Sequence, residues 1–402
     1  MNVQPNQMTR GSSVTAQPSS ARRRILFAKL GSFSHTNERI VEQLTKRFPD
    51  HSIVIFDVKD YIRRQRGIAA VNACLELATF GPSVFQNASD RHAFFFLTPF
   101  MFRRLSAAVR DHFGAEAECF DFTIQTQGLF NASLPGRPFV LYTDYTLASS
   151  LDFELRDERL LRLQAFMKLE GAMYRRADKI LTTAAHVKRT LSRHYGCNPD
   201  RITPIMIGAN VETATSSTDL QRYNAGRILF VGIDWERKGG PTLLAAFEKV
   251  AERFPHARLT IVGCTPETSH PRIQALGRIA RADVARYFAE SSIFCLPSVV
   301  EPSAVASVEA MAFSLPVVAT TVGGFPEMVL DGTTGILVSP QDPDALAEAL
   351  AGLLSNPERA RQMGMAGKQR STYFTWDAVG SRLYAEIKDL VDSRHTSAPL
   401  PA

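Results

Sequence analysis

The sequence predicts an α/β protein built of two doubly wound domains in tandem. Three observations predict it: a length of 402 residues, short apolar runs that alternate with amphipathic segments, and a stretch near the middle where that alternation lapses. A chain of this length exceeds one ordinary compact core and divides into domains of roughly 150–200 residues each. Strands alternating with helices imply a mostly parallel sheet wrapped by helices. Ligands of such folds sit outside the carboxyl ends of the strands, so a cleft between the domains is the expected site.

Residues 1–23 are rich in Gln, Ser, Thr and Pro and lack the apolar run of a secretory signal, so they read as a disordered tail. The first domain, 24–207, opens with strand 25–30, helix 36–47 and strand 52–58. Within 91–113, Phe94, Phe95, Phe96, Phe100, Met101 and Phe102 adjoin Arg103, Arg104 and Arg110. Aromatic groups beside cations suit a membrane interface. The preferred reading is a core helix kinked at Pro99. Strand 138–142, a long helix over 155–176, strand 179–182 and a helix capped by Gly196 follow. Ser, Thr and Asn then cluster without apolar periodicity over 208–225, which marks the linker. The second domain, 226–374, restarts the alternation with strands at 227–231, 258–262, 293–296, 316–319 and 335–338. Asp342 as N-cap and Pro343 at the first helical position open one of its helices.

Composition narrows the classes. Hydrophobic residues make 45% of the chain and charged residues 21%, as in a soluble globular protein. The formal charge of +6 is spread along helices, which fits a basic groove for phosphorylated ligands or an anionic membrane surface rather than nucleic acid. Five cysteines with no C-x-x-C argue against a disulfide framework or a zinc site and for a reducing compartment. No apolar stretch reaches the ~18 residues of a bilayer span. The expected location is the cytoplasm, with peripheral contact at the inner membrane face as an option.

The most informative stretch runs from Glu301 to Glu309, after an apolar strand. Glu301 falls in the strand-to-helix loop and Glu309 about two turns into the helix, roughly 12 Å away along the axis. Between them the helix N-terminus presents free N–H groups around Ser303, Ala304 and Val305, a ready place for a diphosphate. Sugar hydroxyls at one carboxylate and ribose hydroxyls at the other complete a nucleotide sugar. The plainer alternative is two solvated glutamates on a surface helix. Two neighbours weigh against it. Gly232 to Gly240 follows the first strand of this domain and carries Lys238, a mobile charge for phosphate oxygens. Val322-Gly323-Gly324-Phe325-Pro326-Glu327 offers a second glycine turn at another strand end.

Residues 227–354 resemble the donor domain of the retaining GT-B glycosyltransferases of family four, through FVGIDWERKGG, LPSVVEPSAVASVEAMAFSLPVVATTVGGFPEMV and DGTTGILVSPQDPDALAEAL in the same order. The first domain matches weakly, mainly through MYRRADKILTTAAHVKRTL. The resemblance implies the GT-B fold, two Rossmann-like domains facing across a cleft, with the last helix, 375–394, packing back on the first domain. It implies that Glu309 binds the ribose, that Glu301 contacts the donor sugar near the reacting carbon, and that Lys238 binds the diphosphate. N–H groups near Ala304 and Val305 would hold the same oxygens, with Gly232 and the Gly323-Gly324 turn shaping the pocket and the base near Gly277 and Arg278. Two departures stand out. Many relatives carry a basic residue where this chain has Ile233, for which Arg237 is the candidate replacement, and many carry Gly at the position of Ala304. On the acceptor side, Asp144 at a strand end is the candidate contact with donor or acceptor, and Gly31 and His35 lie at the first strand's turn.

The implied activity is transfer of a hexose-type unit from a nucleoside diphosphate sugar to an unidentified glycan or lipid-linked acceptor, with nucleic acid excluded as a partner. No metal or other cofactor is expected. The only D-x-D, at Asp342 and Asp344, is explained by capping, and nine histidines show no ligand spacing. A sugar-nucleotide epimerase on the same fold and a non-catalytic nucleotide-sugar-binding scaffold are the rival readings.

Overall fold

The computed structural model describes residues 23–33, 35–85, 94–153, 158–211 and 217–395. The tail expected over 1–23 therefore lies outside the described residues except for Arg23.

The first domain contains β1 (Arg23–Lys29), α1 (Thr36–Arg47), β2 (His51–Asp57), α2 (Val58–Arg63), α3 (Arg66–Phe80), α4 (Pro99–Phe113), β3 (Phe120–Thr126), β4 (Phe139–Thr143), α5 (Gln164–Arg176), β5 (Lys179–Thr182), α6 (Ala185–Tyr195) and β6 (Ile202–Pro204). The second contains α7 (Leu220–Asn224), β7 (Arg227–Val231), α8 (Gly240–Arg253), β8 (Arg258–Val262), β9 (Ile273–Ala275), α9 (Arg281–Glu290), β10 (Ile293–Leu296), α10 (Val305–Ala312), β11 (Val317–Thr320), α11 (Phe325–Met328), β12 (Gly335–Val338), α12 (Pro343–Leu354) and α13 (Pro357–Ser371), and α14 (Trp376–His395) comes after it.

Each domain is a six-stranded sheet, ordered β2-β1-β3-β4-β5-β6 in the first and β12-β11-β10-β7-β8-β9 in the second. Every strand pair is parallel. Parallel strands covered on both faces must be apolar throughout, and β4, β10 and β11 are buried at every position. In the second sheet the order reverses between β7 and β10. That reversal opens the crevice in which such sheets hold ligands, and the loops after β7 and β10 carry Lys238 and Glu301.

Three expectations are corrected. The helix expected over 155–176 begins only at Gln164. A 3₁₀ turn occupies 158–162, tied to its surroundings by Arg159 over the Phe94 ring and by Arg162 on the Thr79 carbonyl. Pro99 does not kink a helix. It takes the first position of α4, where its missing N–H costs nothing, and Thr98 caps the end by accepting from Met101 N at 3.1 Å. Phe94, Phe96, Met101 and Phe102 are buried in the first domain's core, so these aromatic groups serve packing, not a membrane face. Residues 91–93 lie outside the described residues. The stretch read as a linker, 208–225, includes α7, whose Tyr223 is 1% exposed and whose Arg222 donates to the carbonyls of Phe288, Ser291 and Phe313.

Helix α14 follows the second domain in sequence but lies on the first. Lys46 meets the Asp377 carboxylate at 2.7 Å, Thr203 donates to Glu386 at 3.0 Å, and Arg382 donates to the Ile205 carbonyl at 2.9 Å. No helix among the described residues is long and apolar enough to cross a membrane.

Candidate functional site

The loop from β10 to α10 is built around Glu301, which is 4% exposed. Lys238 Nζ meets its Oε2 at 2.5 Å, Ser298 Oγ donates to the same oxygen at 3.1 Å, and Ala304 N donates to Oε1 at 3.0 Å. Burial by itself would raise this carboxyl. Lys238, Arg237 and the hydrogen bonds more than offset it and hold Glu301 below the usual glutamate range. Burial in turn lowers the Lys238 ammonium, with Glu301 opposing. The two groups form a buried salt bridge.

The Gly323-Gly324 turn braces this loop from behind rather than lining the donor cavity. Gly323 sits at φ 56°, and a Cβ there would fall 1.8 Å from the Glu301 carbonyl oxygen. Gly324 N donates to that oxygen at 3.0 Å. The glycine pair shapes the pocket by allowing two backbones to touch. Ala304 takes φ 44° as the N-cap of α10 and is fully buried, with its N–H already committed to Glu301. The helix N–H groups left for a ligand are accordingly those of Val305 and Ala306, both on the cavity wall.

Glu309, on α10, accepts from Asn210 N at 3.1 Å, and Arg281 at the start of α9 donates to the Asn210 carbonyl. Burial pushes the Glu309 carboxyl up to about 7 against the pull of Asn210 N–H and Arg281. Asp144, following β4, reaches the cleft from the other domain. Burial pushes its carboxyl up to about 7 as well, with Glu301 adding to the rise and Arg237 opposing it.

A cavity of about 880 Å³ between the domains joins these groups. Of the residues singled out from sequence, it is lined by Glu301, Glu309, Lys238, Arg237, Asp144, Ser303, Val305, Gly232, Arg278 and His35. Gly31, Gly277, Ala304, Gly323 and Gly324 are not on its wall. Gly31 is turned into the first domain, its N–H on Asp57 at 2.9 Å. Gly277 supports the adjoining loop, its carbonyl accepting from Gly263 N at 2.7 Å. Arg237 faces the cavity while donating to Asp234 and to the Val300 carbonyl at 3.0 Å each, so a guanidinium is present beside the apolar Ile233. Sequence reasoning missed Tyr145, Asn210 and Arg281. Tyr145 adjoins Asp144, and its position was a usable signal. Asn210 was hidden inside the presumed linker.

Polar contacts also join the domains beside this cavity. Thr183 Oγ1 and Ser303 Oγ are 2.9 Å apart. The Glu327 carboxylate accepts from Ala185 N and His186 N, capping α6 across the cleft.

Residues 225–356 match the family model of the glycosyl transferases group 1. This stretch is a glycosyl transferases group 1 domain. The described residues have the GT-B architecture. It superposes on sucrose-phosphate synthase from Thermosynechococcus elongatus with a TM-score of 0.68 at 20% identity, over 92% of this chain and 100% of that one. It superposes on HepE from Anabaena, solved with UDP and glucose, with a TM-score of 0.63 at 16% identity, over 90% and 99% of the two chains. In sequence it is 29% identical over 277 residues to a D-inositol 3-phosphate glycosyltransferase from Corynebacterium diphtheriae, covering 62% of this chain and 65% of that relative. The match thus spans less than two thirds of the relative's length. The group 1 domain supplies Lys238, Glu301 and Glu309, and the other domain supplies Asp144.

Proposed function

We propose that this protein is a retaining glycosyltransferase that moves a hexose-type unit from a nucleoside diphosphate sugar to an acceptor hydroxyl. One observation carries the reading: Glu301, Lys238 and Glu309 line a single cavity, with the first-turn N–H groups of Val305 and Ala306 on the same wall. Glu309 takes the ribose hydroxyls, Lys238 and the helix N–H groups take the diphosphate, and Glu301 meets the sugar. The bond from the anomeric carbon to the diphosphate oxygen breaks as the acceptor oxygen bonds to that carbon, and the acceptor's hydroxyl proton passes to the leaving diphosphate. Negative charge developing on the leaving diphosphate meets Lys238, Arg237 and the helix N-terminus, and the step is proposed to need no metal. Retention is supported by the motif resemblance alone. Asp144 contacts the sugar or the acceptor from the opposite wall.

A thermal-shift screen against UDP-, GDP- and ADP-sugars should single out one donor, since a ligand above its dissociation constant raises the melting temperature. With that donor, Glu309→Ala should weaken binding by about 10–100-fold, the range for losing hydrogen bonds to a charged group. Glu301→Gln should mainly lower kcat. Wild-type kinetics in both variants would sink the assignment.

A further inference from the structure

The chain passes between the domains twice, once through 205–211 and once into α14, and the two passages are bonded to each other. Ala209 N donates to the Phe374 carbonyl at 2.9 Å. Beside that bond Trp376, the first residue of α14, packs against Gly208, where a Cβ would fall 2.5 Å from the indole. The indole Nε1–H donates to Asn210 Oδ1 at 2.9 Å, and both side chains are buried.

Asn210 carries this contact on to the donor cavity. Its main-chain N–H donates to Glu309 Oε1 at 3.1 Å, and its carbonyl accepts from Arg281. Asn210, Arg281 and Glu309 line that cavity, whereas Trp376 does not. No helix or strand fixes residues 205–211, so the direction of the Asn210 N–H depends on the bonds that hold this residue. One of them comes from Trp376, which lies beyond the group 1 match and opens a helix that rests on the first domain.

We propose that Trp376 is a positioning residue for the donor site, holding Glu309 through Asn210 where it takes the ribose hydroxyls. This role rests on the transferase reading. It also predicts how the carboxyl titrates when the contact is cut. Burial raises the Glu309 carboxyl, and the Asn210 N–H, Arg281 from α9 and the Val211 N–H oppose the rise. Loosening Asn210 weakens that opposition, so the carboxyl ionises at higher pH.

Calorimetric titration of the full chain with UDP, GDP and ADP, repeated between about pH 6 and 9, tests the role without requiring turnover. Trp376→Phe keeps a ring against Gly208 and removes only the N–H. For the diphosphate that the wild type binds, W376F should bind about fivefold more weakly at neutral pH, as expected for one lost hydrogen bond. The pH midpoint of its binding should move upward, which a loss of packing alone would not produce. N210A breaks the same bond from its other end and leaves the indole in place. A loss shared by both variants is therefore not a folding defect at Trp376. In W376F/N210A the loss should be no greater than in N210A, since residues that act through one contact are not additive. Wild-type affinity and midpoint in W376F, or losses that add in the double variant, would overturn the inference and leave the transferase reading standing. A wild type that binds none of the three diphosphates ends the transferase reading and this inference with it.

Discussion

Ala304 shows what one side chain costs at a place built for none. At φ 44° its Cβ crowds the following carbonyl, a strain of about 1–2 kcal/mol for an L-residue. The conformation persists because it aims the Ala304 N–H at Glu301 and starts α10. Ala304→Gly should therefore raise stability in denaturant unfolding by about 1 kcal/mol, unless glycine's gain in unfolded-state freedom cancels it. An unchanged or lower midpoint would show that the position carries no net strain. Glu309 makes a different prediction. Its carboxyl titrates at about 7, raised by burial, and the ionised form is the stronger acceptor for ribose hydroxyls. Donor binding should accordingly tighten as pH rises from about 6 to 8 and lose that dependence in Glu309→Gln. Binding that is flat with pH in the wild type would contradict the assigned contact. Neither residue's behaviour could be read from sequence. E-x7-E spacing shows two acids on a helix, whereas burial and the Asn210 N–H come from the chain crossing between domains.

Elements were legible in proportion to the length and purity of their apolar runs. Strands 179–182, 227–231, 258–262, 293–296 and 335–338 stand where periodicity placed them, because each is a short apolar run; 293–296 is buried at every position, and the edge strand 335–338 is mostly half-buried. Helix α7 escaped notice because five residues carry too little periodicity, and its position is set by buried Arg222 and Tyr223. The glycine turn was found in the sequence, but its contact with the Glu301 backbone is a tertiary fact. In the first domain the strand end carrying Asp144 was legible, but the group that anchors its loop was not. Glu170, 2% exposed on α5, accepts from Leu147 N at 3.3 Å and from the Tyr174 and Tyr195 hydroxyls. Burial pushes its carboxyl up to about 7 against those donors. The Asp144–Thr146 turn is thus tied to α5 and α6 through a buried acid.

At the scale of the whole molecule, the cleft is closed by few polar contacts. Glu327 places a carboxylate on the first two N–H groups of α6, where the helix dipole favours negative charge. Glu327→Ala leaves both groups to water and should favour a more open arrangement of the domains. Small-angle scattering should show a larger radius of gyration, with a lower kcat/KM because closure assembles the site. Identical scattering and kinetics would mean that the Thr183–Ser303 hydroxyl pair and the crossing of α14 suffice to hold the domains. Helix α14 is tied to the first domain by Lys46, Thr203 and Arg382, so the chain crosses between the domains twice.

The central claim is that Glu309 and Glu301 hold the two ends of one nucleotide sugar. Calorimetric titration of the wild type, Glu309→Ala and Glu301→Gln with the selected donor and with its nucleoside diphosphate alone tests it most directly. Glu309→Ala should weaken both ligands alike, and Glu301→Gln should weaken the sugar-bearing donor while leaving the nucleoside diphosphate near its wild-type affinity. Equal affinities for both ligands in all three proteins would contradict the account.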